Sequence, residues 1–291
     1  MERTDVDALA KAASRIWFVT GCSSGLGRAL CERLLESGAR VVCTARNIDS
    51  IADLRERHGE RAILLPLDVT DPDSIQSAVQ SALAQAGGID VVVNNAGYGL
   101  VGALEEVDEE LMKAAFDANV YGAYRVVRAV LPHMRARRSG HILNVSSMMG
   151  VIGAPGFCFY SATKFAIEGM TEALAGEVKN FGIKVTIVEP GPFRTDFRSR
   201  SMKEAPPMEA YAETVGNFRN MLRETDGKQP GDPRRAAEAM MTIVGSDEPP
   251  LRLPLGEVCL NGIRNKLGRM KEEIDRWEEV SIATSFESAQ G

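Results

Sequence analysis

The chain has 291 residues, 44% hydrophobic and 25% charged, with a formal net charge of −6. That is the balance of an ordinary globular protein, and it gives no support to a nucleic-acid partner. Five scattered cysteines without a C-x-x-C pair, and three histidines without ligand spacing, argue against a disulfide framework or a metal site.

Residues 1–14 form an N-terminal extension of mixed charge, rich in alanine and unlike a signal peptide. No apolar run approaches the length a bilayer needs, so a cytoplasmic protein is expected. From residue 15 onward, apolar β-rich runs alternate with helical patterns. The runs predict strands at 16–20, 41–45, 62–67, 91–94, 141–146 and 185–188, mostly continuous in the manner of buried parallel strands. Helical periodicity fills the gaps at 25–37, 48–58, 73–85, 109–137 and 159–181. Asp71-Pro72 reads as a cap followed by a first-turn proline, and Gly38, Gly87 and Gly182 stand where helices should stop. This alternation implies right-handed crossovers and a doubly wound α/β sheet with its ligand at the carboxyl ends of the strands.

After Gly191 the pattern changes. Residues 192–230 carry Phe193, Phe197, Met202, Phe218 and Met221 among many charges. Helical pieces and no strand are expected there, forming a lid over the active face or an excursion that only packs. A helix at 233–244, a short strand at 251–255 and a helix at 257–280 follow, then a loose polar tail at 281–291.

The first strand runs into Thr20-Gly21-Cys22-Ser23-Ser24-Gly25-Leu26-Gly27 and then a helix. Glycines at such a junction bring backbone N–H groups close to a pyrophosphate, and the helix N-terminus adds favourable charge. The G-x-x-x-G-x-G spacing differs from the usual dinucleotide fingerprint. Tyr160 and Lys164 are four apart at the start of a helix, so they share a face with Cβ atoms about 5–6 Å apart. A nearby ammonium favours the phenolate, which equips Tyr160 to give or take a proton. Ser147 follows the strand at 141–146, on the ligand side, where it could donate to a substrate oxygen or simply cap a turn. The second strand ends in Ala45-Arg46, without the acid that binds the ribose hydroxyl of NAD. An arginine there suits the extra phosphate of NADP, so NADP(H) is expected over NAD(H).

Taken together these elements resemble the short-chain dehydrogenase/reductase family, in its single-domain branch. The matching residues are Thr20-Gly21-x-x-x-Gly25-x-Gly27, Asn94-Asn95-Ala96-Gly97, Asn119, Ser147, Tyr160-x-x-x-Lys164, and Pro190-Gly191 followed by Thr195. The resemblance implies a Rossmann-type sheet of about seven strands in one domain spanning 15–280. It makes Tyr160 the general acid/base and Lys164 the ribose ligand that lowers the tyrosine pKa. Ser147 polarises the substrate carbonyl, and Asn119 holds a water in a proton relay. Cofactor contacts are implied for Gly21, Ser23, Ser24, Gly25, Leu26, Gly27, Arg46, Asp68, Val69, Asn95, Ala96, Gly97, Pro190, Gly191 and Thr195. A homodimer or homotetramer through the long helices is also implied.

The turn, Tyr98-Gly99 and Lys164-Phe165-Ala166 further resemble the hydroxysteroid and retinol dehydrogenase group. With Met149, Phe157 and Phe193 near the hydride path, that points to a bulky apolar alcohol or ketone, though these residues read equally well as core. Two rival readings are a non-enzymatic NADP-sensing regulator and an epimerase or dehydratase. Retention of both Tyr160 and Lys164 speaks against the first. The glycine-turn spacing and the lack of a longer substrate domain speak against the second.

Overall fold

The computed structural model describes residues 3–286. Of the expected N-terminal extension, residues 1–2 lie outside the described residues. So do residues 287–291 of the expected tail.

In chain order the first half comprises α1 (Arg3–Ala13), β1 (Ile16–Val19), α2 (Gly25–Glu36), β2 (Arg40–Ala45), α3 (Ala52–His58) and β3 (Ala62–Pro66). Then come α4 (Pro72–Ala86), β4 (Val91–Asn94), β5 (Gly99–Val101), α5 (Glu109–Phe116), α6 (Gly122–Arg137) and β6 (Gly140–Val145). The second half holds α7 (Cys158–Val178), β7 (Ile183–Pro190), α8 (Phe197–Arg200), β8 (Met202–Glu204), α9 (Asn217–Glu224), α10 (Pro233–Gly245), β9 (Arg252–Leu255), α11 (Glu257–Arg276) and α12 (Glu278–Ile282).

Seven strands make one parallel sheet in the order β3-β2-β1-β4-β6-β7-β9. Alternate residues feed two cores. Trp17 and Val19 join the core with Leu30, Leu34 and Met240, while Phe18 joins the opposite one with Val92, Val126 and Leu174. Both faces are therefore covered, which explains the unbroken apolar strands in the sequence. The strand order reverses between β1 and β4, so the crevice at their carboxyl ends is where a ligand belongs.

The N-terminal helix α1 docks on the body. The Trp17 indole N–H donates to the Ala12 carbonyl at 2.9 Å, and Gly245 on α10 leaves no room for a Cβ against Ala8.

Three expectations need correction. The predicted helix at 109–137 is interrupted by a wider π-type turn over Asp117–Tyr121, which separates α5 from α6 and contains the buried Asn119. The last helix breaks at Trp277 and resumes as α12. The segment after Gly191, expected to lack strands, contains β8, which pairs in parallel with β5. β8 has only three residues, and its partner lies about a hundred residues earlier, so no local periodicity announces it.

That pairing is one attachment of the 192–230 excursion. Its base is closed by main-chain bonds, Arg194 N–H to the Gly231 carbonyl at 2.9 Å and Gly231 N–H to the Pro192 carbonyl at 3.1 Å. Another attachment is a buried ion pair, in which Arg219 on α9 donates to Glu106 at 2.8 and 3.2 Å and to the Ala205 carbonyl at 3.0 Å. Glu106 also accepts from the N–H groups of Ala103 (2.7 Å) and Met208 (2.8 Å). Burial would raise its pKa, but the guanidinium and the two N–H groups outweigh burial and hold it at about 2. A carboxylate depressed in the fold contributes stability in full above about 4.5 and loses it as the pH falls through about 2. Glu106→Ala would leave the buried Arg219 guanidinium with only the Ala205 carbonyl at 3.0 Å and the Glu204 carboxylate at 3.8 Å, at a cost of up to about 3–5 kcal/mol. Urea unfolding of Glu106→Ala at pH 7 is expected to give a clearly lower midpoint, and the gap between variant and parent should narrow only below about pH 4.5.

Candidate active site

A cleft of about 860 Å³ opens at the carboxyl ends of the strands and runs from the β2 exit to the excursion. All of the residues predicted from sequence line it except Gly27 and Asn119.

At one end lies the glycine turn. Gly21 adopts φ +71 and presses on Ala96, where a Cβ would sit 2.9 Å from the Ala96 Cα. The turn is tied to the β4 exit by the Asn95 amide, which donates to the carbonyls of Thr20 (2.9 Å) and Gly21 (3.1 Å). The Thr20 hydroxyl accepts from the N–H groups of Asn95 and Ala96, both at 3.0 Å. Gly27 lies behind the turn against the Asn95 amide, with no room for a side chain. It shapes the turn and does not line the cleft.

Helix α2 starts at Gly25 with Ser24 as its cap, and Ser24 makes no side-chain capping bond. No acid stands in its first turn. Unpartnered N–H groups at a helix start suit an anion. Ser23, Ser24 and Arg46 line the same end, and Arg46 makes no hydrogen bond or ion pair among the described residues. Asp68 and Val69 close this end; the Asp68 carboxyl is lowered chiefly by the N–H of Thr70. Uncapped donors, a close backbone approach and an unpartnered cation fit a dinucleotide with its pyrophosphate over α2.

At the other end Tyr160 and Lys164 stand on the first turns of α7, beside Ser147 after β6. All three are buried. The Lys164 ammonium donates to the Val145 carbonyl at 2.9 Å, and its Nζ lies 5.8 Å from the centre of the Tyr160 ring. The Ser147 Oγ accepts from the Met149 N–H at 3.0 Å, which leaves its own proton to donate. Burial pushes the Tyr160 phenol up to about 12, with the Ser147 hydroxyl acting the other way. Burial pushes the Lys164 ammonium down to about 8, against the pull of Glu168. Burial thus sets the direction of the tyrosine shift, opposite to the lowering expected from the lysine. Tyr160 holds its proton at neutral pH.

Asn119 does not reach the cleft. Its Oδ1 accepts from the Tyr98 N–H, and its Nδ2 donates to the Tyr98 carbonyl, each at 2.9 Å, and to the Thr163 hydroxyl at 3.2 Å. Its side chain is spent on fixing the β4 exit. Gly97 is required beside it, because a Cβ there would meet the Asn119 Oδ1 at 2.9 Å and the Lys164 Nζ at 3.9 Å.

Met149 and Phe157 pack with Tyr160 in an apolar cluster that Val101 and Leu222 complete. Phe218 meets Phe157 edge-on at 4.8 Å and lies over Gly156, whose φ of +85 suits glycine alone. Phe193 lines the cleft nearer the base of the excursion. Val101 and Leu222 escaped the sequence reading. Each is one ordinary apolar residue in a short element, and they meet only in the folded chain.

Residues 15–206 match the short chain dehydrogenase family. An oxidoreductase, BOA17, of Botryotinia fuckeliana is 40% identical over 94% of this chain and 100% of its own length. Retinol dehydrogenase 8 of Bos taurus is 37% identical over 82% of this chain and 81% of its own. A solved short-chain dehydrogenase from Streptomyces avermitilis is 42% identical, covers 94% of this chain and 100% of that one, and superposes with a TM-score of 0.89. With the glycine turn, the Ser147, Tyr160 and Lys164 cluster and a seven-stranded parallel sheet in one molecule, the chain belongs to the short chain dehydrogenase family.

Proposed function

We propose that this protein is an NADP(H)-dependent oxidoreductase that moves a hydride between nicotinamide and an alcohol or carbonyl on a bulky, apolar substrate. The observation that carries this reading is the two-ended cleft. Anion donors and the unpartnered Arg46 stand at one end, while Ser147, Tyr160 and Lys164 meet an apolar wall at the other.

When bound, the cofactor supplies or accepts the hydride. In the reducing direction Ser147 and Tyr160 offer two hydrogen-bond donors to the substrate carbonyl oxygen. The phenol proton passes to that oxygen as its carbon gains the hydride, which gives the alcohol. The Lys164 ammonium, pinned by the Val145 carbonyl, stabilises the phenolate left behind. Oxidation runs the same steps in reverse. Asn119 acts as a positioning residue for the β4 exit. The apolar wall accounts for a greasy substrate, and retinol dehydrogenase 8 among the relatives agrees with that class.

The protein is further proposed to be a cytoplasmic homo-oligomer. Free cysteines suit a reducing compartment, and Tyr124 on α6, Phe165 on α7 and Tyr121 in the turn before α6 lie exposed. No helix among the described residues is long and apolar enough to cross a membrane.

Tyr160→Phe is expected to lower turnover by about 10²–10⁴-fold while NADPH binding, read by fluorescence titration, stays within a few-fold of the parent. Retained turnover in that variant would remove Tyr160 from the acid/base role. Titration of the parent with NADPH and NADH should favour NADPH, and Arg46→Asp should reverse the preference. An unchanged ratio would take Arg46 out of the phosphate site. Because Lys164 loses its charge as the pH rises through about 8, the rate of carbonyl reduction should fall above that pH. A flat profile from pH 7 to 9.5 would show that the ammonium is not needed.

A further inference from the structure

Helix α11 begins on the body and then leaves it. Cys259 is buried, and Gly262 sits so close to Met148 and Ile152 that a Cβ would lie 3.2 and 3.1 Å from them. From Leu267 to Ile282 every residue is exposed. The projecting part nevertheless carries an apolar stripe: Leu267 (55% exposed), Met270 (40%), Ile274 (66%) and Trp277 (60%). The steps of three, four and three residues are those of a coiled-coil seam, which keeps a single line of contact on one helix face. Nothing among the described residues covers it.

We propose that this stripe is a self-association surface on which a second copy of the chain lies antiparallel. Two features of the sequence select that occupant. The stripe reads the same in both directions about Glu272, so an antiparallel copy sets Leu267 against Trp277 and Met270 against Ile274, twice over. A two-fold interface requires this self-complementarity. The charges beside the stripe are also opposed end to end. Residues 264–271 hold Arg264, Lys266, Arg269 and Lys271 with no acid, whereas 272–279 hold Glu272, Glu273, Asp275, Glu278 and Glu279 with only Arg276 against them. Antiparallel pairing lays the basic half of each helix along the acidic half of the other; parallel pairing lays like on like. The segment is neutral overall, its cations confined to one half and its acids mostly to the other, so it has no net attraction to an anionic lipid surface. The stripe lies on α11, whereas Tyr121, Tyr124 and Phe165 belong to the turn before α6, to α6 and to α7.

Sedimentation velocity of the full chain tests the proposal. Leu267→Asp with Ile274→Asp, both at exposed positions, should halve the assembly mass without changing the circular dichroism or NADPH binding. A charge series guards against a variant that misfolds. Lys266→Glu, Arg269→Glu and Lys271→Glu together should weaken association by at least about tenfold. Adding Glu273→Lys, Asp275→Lys and Glu278→Lys to the same chain should restore it, because the opposition of charge is then inverted but intact. A mass unchanged by the aspartates, or a chain that stays monomeric up to about 100 μM, overturns the proposal. So does a monomer that floats with phosphatidylcholine–phosphatidylserine vesicles and ceases to do so once the aspartates are present, which would assign the stripe to lipid.

Discussion

A lysine ammonium held nearly out of reach of water is the constraint around which this molecule is arranged. Lys164 must be compensated where it stands, and the compensation comes from the Val145 carbonyl at the end of β6 and from Glu168 one turn along α7. Those partners fix α7 against the last residue of the strand. Tyr160 is thereby held beside Ser147 with no freedom to turn away. The same burial raises the phenol to about 12 and lowers the ammonium to about 8, drawing apart two proton affinities that nearly coincide in water. Chemistry and packing are satisfied by one set of contacts.

The glycine-turn end of the cleft is governed by a different economy of polar groups. Asn95 and Thr20 consume each other's hydrogen-bonding capacity and that of the turn, so the loop between β1 and α2 is rigid. What they leave over is the first turn of α2, whose donors have no partner in the chain. Two strand exits are clamped together so that a third set of groups remains free for a ligand.

Much of this was legible in the sequence because it is local. The seven strands of the main sheet are each long enough to show an apolar run. The Tyr160–Lys164 spacing is a helical one, and the glycine turn lies within eight residues. The excursion was not legible for the opposite reason. β5 and β8 are three residues each, and Glu106 pairs with Arg219 across 113 positions. Asn119 was legible only through family resemblance. Its place in a π-type turn and its bonds to Tyr98 depend on the β4 exit, which no helical pattern announces. The sign of the tyrosine shift also needed structure, since spacing reports a neighbour's charge but not the loss of water around both groups.

The 192–230 excursion is mounted by main-chain bonds at its base, by the β5–β8 pairing and by the Arg219–Glu106 ion pair, and the side chains it turns to the cleft are part of the mount as well: Phe218 stands edge-on to Phe157 at 4.8 Å, and Leu222 packs in one cluster with Val101 and Tyr160. A substitution that reshapes the cavity at Phe218 or Leu222 therefore also changes how the excursion is held against the body. Shape and firmness of this wall vary together.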